Sequence, residues 1–138
     1  MTIQITGLKP LKPTLYQLAN DGNSIDFIYA SCNSCRRLTF PANAPGCMHC
    51  GLPIDTAEKL TRKGIGTLME FVTVHVALTQ DMEVPCIIGD ILLEDGIIEE
   101  GVISVPDEST LALGMSLKAV ASPLQDETAY TCRFTPNP

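Results

Sequence analysis

Four cysteines constrain this chain more than any other feature. They fall in two pairs, Cys32-Asn33-Ser34-Cys35 and Cys47-Met48-His49-Cys50, with eleven residues between the pairs. Each C-x2-C pair folds as a tight turn that aims two thiolates at one ion, and two such turns supply four soft ligands in a tetrahedron. That donor set suits zinc or a single iron. Pro45-Gly46 before the second pair and Gly51 after it give the backbone freedom that such turns need. Residues 31–54 would have too little core to fold around four free thiols, so the metal is expected to be structural. A closed four-thiolate site leaves no position for water or substrate, which favours zinc held by Cys32, Cys35, Cys47 and Cys50. His49, between two ligands, is expected to point outward, and no His directly follows Cys50, so a c-type haem attachment site is excluded. Cys86 and Cys132 stand singly in apolar contexts and read as inert thiols.

The chain has 138 residues, enough for one ordinary domain or two very small ones. The cysteines favour two: residues 1–30 as an extension with a short helix, 31–63 as the metal module, and 64–138 as a second module. Residues 1–12 look extended. The helix is expected over 13–20, with Pro13 near its first turn and Asp21-Gly22-Asn23 as its stop. Residues 25–30 form a strand leading to the first pair. Over 65–79 the period-two pattern places Leu68, Val72, Val74, Val76 and Leu78 on one face, with Glu70 the exception. Residues 84–94 follow as an apolar strand, and Glu94-Asp95-Gly96 turns it into a strand over 97–105. A connector over 106–112 contains one helical turn with Asp107 near its start, before two last strands over 115–121 and 128–135. Five strands with a long connector between the third and fourth predict a closed Greek-key barrel of the OB-fold type. The fold class is therefore mainly β.

Charge divides unevenly. The net formal charge is −7. Seven basic residues face four acidic ones in 1–64, whereas 65–138 carry only Lys118 and Arg133 against twelve acids. Nucleic acid is a poor partner for such a chain, since phosphate binding rests on clustered Lys and Arg. Arg36, Arg37, Lys59, Arg62 and Lys63 are the candidates for an anionic ligand or for an acidic partner surface; each also reads simply as a solvated rim. The acids of 81–108 read as a solubilising surface or as a dock for a basic groove. With only His49 and His75 as imidazole bases, no catalytic residue is expected in the chain. No apolar run reaches the ~20 residues of a membrane span, and the polar start Met1-Thr2-Ile3-Gln4 does not resemble a signal peptide. A cytoplasmic location is expected.

Ribbon then barrel, in this order and size, resembles the acyl-CoA-associated domain-of-unknown-function family thirty-five, in which a rubredoxin-like zinc ribbon precedes an OB-fold. The resemblance runs from about Tyr16 to Pro136. It rests on Cys32/Cys35 followed by Phe40-Pro41, on Cys47/Cys50 with Gly51, and on Gly64-Ile65-Gly66-Thr67. Pro85, Leu93-Glu94-Asp95-Gly96, Gly114-Met115 and the closing residues Tyr130 to Phe134 with Pro136 also match. The chain departs at Arg36, where glycine is expected, and at Ala42-Asn43, where a Pro-Arg step is expected. The resemblance implies a non-catalytic, zinc-binding, cytoplasmic subunit of a hetero-oligomer. Its partner would be a thiolase or other acyltransferase, a ketoacyl-synthase-like enzyme or a thiolase-like aldolase, as in two-component enzymes such as benzoylsuccinyl-CoA thiolase. An acyl-CoA thioester would then lie at or near the interface, shared with the partner. Two other readings stay open: an OB-type nucleic-acid binder, although the barrel half has only Phe71, Tyr130 and Phe134 for stacking, and a rubredoxin-like iron electron carrier.

Overall fold

The computed structural model describes residues 5–138, so the polar start at 1–4 lies outside the described residues. Ten strands follow in chain order: β1 (Lys9–Pro10), β2 (Tyr16–Leu18), β3 (Ile25–Ser31), β4 (Leu38–Thr39), β5 (Glu58–Lys63), β6 (Ile65–Val74), β7 (Cys86–Leu92), β8 (Ile98–Ile103), β9 (Ser116–Pro123) and β10 (Ala129–Pro136). The described residues contain no α-helix, only 3-10 turns at Ile5–Gly7, Glu94–Gly96 and Glu108–Thr110. The helix expected over 13–20 is therefore incorrect. Its centre is β2, antiparallel to β3 with Tyr16 opposite Phe27 and Leu18 opposite Ile25. A segment this short cannot nucleate a helix on propensity alone; burying Tyr16 beside β3 decides for the strand.

The chain divides into two compact units, Met1–Gly64 with Ala121–Thr131, and Ile65–Val120 with Cys132–Pro138. In the first unit β3 is central, flanked by β2, β4 and β5. Ile25, Phe27 and Tyr29 alternate on its buried side. Phe40 packs edge-on to Phe27 with centroids 5.6 Å apart and stands 5.5 Å from Tyr29. The Tyr16 and Tyr130 rings lie 6.0 Å apart, so this unit has an aromatic core besides its cysteines. Sequence reading missed β5, which pairs with β3 over six residues. Its Glu-Lys-Leu-Thr-Arg-Lys string shows no apolar alternation because both faces of this edge strand meet solvent.

The second unit carries the barrel. β6, β7 and β8 form an antiparallel meander, β10 joins β8 in parallel at Phe134 opposite Ile103, and β9 pairs with both β10 and β6. That ring of five is the expected OB-fold. Leu68, Ile87, Ile91, Ile103, Leu117 and Phe134 are buried inside it. Gly89 and Gly101 pair across β7 and β8. A Cβ at Gly89 would lie 2.6 Å from Ile103 Cδ1, and one at Gly101 2.6 Å from Phe134 Cε2. The turn at 94–96 and the helical turn after Asp107 form as expected, the latter capped by the Asp107 carboxylate accepting from Ser109 N at 2.8 Å.

The face expected along β6 does not persist. Leu68 pairs with Ile91 but Glu70 pairs with Asp90, leaving Met69 as an extra residue in a β-bulge. One inserted residue reverses the parity of everything after it. Phe71 and Thr73 therefore stand opposite Gly89 and Ile87 and are half-buried, while Val72 turns outward. Val76 and Leu78 lie beyond the strand end and are exposed.

Candidate metal centre

The two cysteine pairs fold as matched knuckles. In the first, Cys32 N donates to Arg37 O and Arg36 N donates back to Cys32 O, both at 3.0 Å. In the second, Cys47 N donates to Leu52 O at 2.8 Å and Gly51 N to Cys47 O at 2.9 Å. The residue after each pair is left-handed: Arg36 at φ 66° and Gly51 at φ 81°. The four sulfurs lie within 4.8 Å of one another. Cys32 and Cys50 Sγ are 3.6 Å apart, as are Cys35 and Cys47 Sγ. Ligands ~2.3 Å from a tetrahedral zinc stand ~3.8 Å from each other, so the donor set fits a closed tetrathiolate site.

Amides and a hydroxyl face these sulfurs. The Thr39 hydroxyl holds the Cys47 thiol down to about 5, assisted by the Cys50 and His49 amides and opposed by burial. The Cys35 and Ser34 amides lower Cys32. The Arg37 amide pulls Cys35 down, but burial and the Cys47 and Cys32 thiols outweigh it, and Cys35 is raised. The Leu52 amide likewise acts on Cys50, yet burial and the neighbouring thiols push it up to about 11. Without a counter-charge, four thiolates this close cannot all ionise; a divalent cation removes that conflict.

Small side chains fill the space around the knuckles: Ala30, Cys32, Ala42, Cys47 and Ile54 form the cluster, with Ile28, Cys35, Ala44 and Ala57 partly buried against it. His49 does not point freely outward as expected. Its Nε2 donates to Leu38 O at 2.7 Å, because the knuckle turn brings the ring back over β4. Thr39, fully buried on β4, was missed. Besides acting on Cys47, its Oγ1 accepts from Met48 N at 3.1 Å. Its only sequence signal was a lone hydroxyl between Leu38 and Phe40.

The basic candidates divide into two places. Arg36 and Arg37 sit exposed on the first knuckle, while Lys59, Arg62 and Lys63 lie on β5. The β5 register sets Lys59 and Lys63 on one face, opposite Ala30 and Asp26, and Arg62 on the other, opposite Phe27. Of the two remaining cysteines, Cys132 is pushed up to about 12 by burial, which suits a packing role. Cys86 is half-buried at the start of β7.

Among the described residues no helix is long and apolar enough to cross a membrane. A family model described as the rubredoxin-like zinc ribbon domain of ChsH2 matches residues 21–52, and one described as the C-terminal OB-fold domain of ChsH2 matches residues 61–122. No curated protein matches in sequence. Among solved structures, a chain of an "Ltp2-ChsH2(DUF35) aldolase" matches with a TM-score of 0.62 and 21% identity, over 80% of this chain and 84% of that one. At that identity the likeness is one of fold. The two family models together span more than half of the chain, ribbon first and barrel second, and the chain belongs to the ChsH2-type DUF35 family, a zinc ribbon joined to an OB-fold.

Proposed function

We propose that this chain is a non-catalytic subunit of a thiolase-superfamily acyl-CoA enzyme, stabilising its partner and bordering the acyl-CoA site. One observation carries the reading: a closed four-thiol ribbon precedes a filled OB barrel, in the order of the ChsH2 models and of a solved chain from an aldolase built of Ltp2 and ChsH2. Zinc held by Cys32, Cys35, Cys47 and Cys50 supplies a structural cross-link between the two knuckles. Burial pushes the Cys132 thiol up to about 12, away from the thiolate that a nucleophile needs, and the chemistry is assigned to the partner. Arg36 and Arg37 at the knuckle, with Lys59, Arg62 and Lys63 on β5, are the cations proposed to contact a CoA phosphate or the partner. The thiolase-like two-component enzymes, such as those acting on benzoylsuccinyl-CoA, are the proposed class.

The test is co-expression with neighbouring open reading frames, affinity purification through this chain, and native mass spectrometry. The expected result is a hetero-oligomer with a thiolase-like chain, zinc by elemental analysis, and a partner that loses activity or solubility alone. A partner that is fully active by itself, or the absence of any thiolase-like chain from the complex, overturns the reading. Red colour with iron in place of zinc points instead to an electron carrier.

A further inference from the structure

We infer that the outer face of β6, β7 and β8 docks a basic amphipathic segment of the catalytic partner, an inference that rests on the accessory-subunit reading above. The bulge at Met69 sets up this face. It turns Glu70 and Val72 outward, and the register then places Glu70 beside Asp90 and Asp90 beside Glu100 on three neighbouring strands. Strands lie ~4.8 Å apart, so three carboxylates stand in a row ~10 Å long. Two residues along, the same face carries Val72, Ile88 and Val102 in register; on the other side of the acids come Leu92 and Ile98. Val72 is 61% exposed and Ile98 53%. Leu111 and Leu113 of the connector border a groove of about 640 Å³ that contains all three acids.

This arrangement differs from an ordinary solubilising surface. Like charges directly opposite one another on neighbouring strands oppose folding, and β6, β7 and β8 hold no Lys or Arg to offset them. The only cations of residues 65–138 are Lys118 on β9 and Arg133 on β10. Apolar rows on both sides of the acids make the face amphipathic in bands. A helix lying along the acid row repeats every ~5.4 Å, close to the strand spacing. It sets one Lys or Arg over each carboxylate on successive turns and apolar side chains over the Val72 and Ile98 rows. The occupant is thus a segment with a basic stripe between apolar ones.

The first arm uses the zinc-loaded full chain, labelled for amide NMR. It is titrated with a short synthetic amphipathic peptide of Leu and Lys, and with the same peptide carrying Glu for Lys. Shifts confined to β6, β7, β8 and residues 111–113, weakened about tenfold or more by salt and by the triple variant Glu70→Gln/Asp90→Asn/Glu100→Gln, support the assignment. The variant's own spectrum checks that it folds. Shifts elsewhere, equal binding of the Glu peptide, or undiminished binding by the folded triple variant overturn it. The second arm compares wild type and triple variant in co-expression. If both assemble equally with a thiolase-like subunit, the docking face is wrong and the accessory reading stands. If wild type assembles and the triple variant does not, the face is supported. If no thiolase-like chain joins even wild type, the accessory reading and the partner assignment fail together.

Discussion

The two knuckles form an internal comparison, since the same hydrogen bonds and the same left-handed step occur in both, once with Arg36 and once with Gly51. A non-glycine residue in this conformation is strained by ~1–2 kcal/mol, whereas glycine adds ~0.5–1 kcal/mol of unfolded-state freedom that folding must remove. The Arg36 side chain is exposed, so its removal forfeits little packing. Arg36→Gly should therefore stabilise the zinc-loaded chain by about 0.5–1 kcal/mol. Gly51→Ala should do the reverse by a similar amount: nothing lies within 4 Å of the added Cβ, so only the backbone torsion is penalised. In a chain of this size either change moves Tm by about 2–4 °C. Denaturant melts with saturating zinc, at matched m values, read the difference. Two variants shifting in the same direction, or an Arg36→Gly protein less stable than wild type, would refute the strain argument. If Arg36 also contacts a partner, Arg36→Gly becomes the more stable chain and the weaker subunit, a combination that a purely structural arginine would not produce.

Gly89→Ala should destabilise the barrel by about 1–3 kcal/mol through its contact with Ile103; Gly7→Ala, with nothing within 4 Å, is the neutral control in the same thermal melts. Thr39→Val keeps the shape of a fully buried side chain but removes the hydroxyl from Cys47, and zinc affinity in chelator competition should fall about 10–100-fold; unchanged affinity would remove Thr39 from the site. Burial raises the Glu99 carboxyl above its ordinary value. A raised folded-state value means that the chain is relatively most stable below the unfolded pKa and loses that advantage as pH rises through the folded one. Glu99→Gln should flatten this decline and raise the Tm at neutral pH, whereas a lower Tm there would assign the carboxylate a favourable contact instead.

What could be read in advance follows the range of the interaction. The cysteine knuckles, the turn at Glu94-Asp95-Gly96 and the Asp107 cap are local, and each forms where its residues announce it. The barrel was legible because β-branched and aliphatic runs recur between turn residues. The bulge was nearly legible: Glu70 was the single misfit in the alternation, and it is the residue that follows the inserted Met69. Treating it as an exception, rather than as a change of phase, put Val72 on the wrong face. β2 and β5 were obscured for opposite reasons. β2 is short and its pairing with β3 is set by tertiary packing, while β5 is so charged that its backbone pairing leaves no hydrophobic trace. The roles of Thr39 and His49 depend on β4 lying beside the second knuckle, a proximity no spacing rule encodes.

The glycine pair in β7 and β8 has a consequence for recognition. With Phe134 laid against Gly101 and Ile103 against Gly89, the barrel's waist is plugged by its own side chains. It is a peg rather than a cup. If the chain borders an acyl-CoA site as proposed, a tail meets this packed waist, and selection by tail length or bulk would fall to the partner's pocket. What this chain presents to any ligand is its exterior: a shape to sit against and a charge pattern to be read.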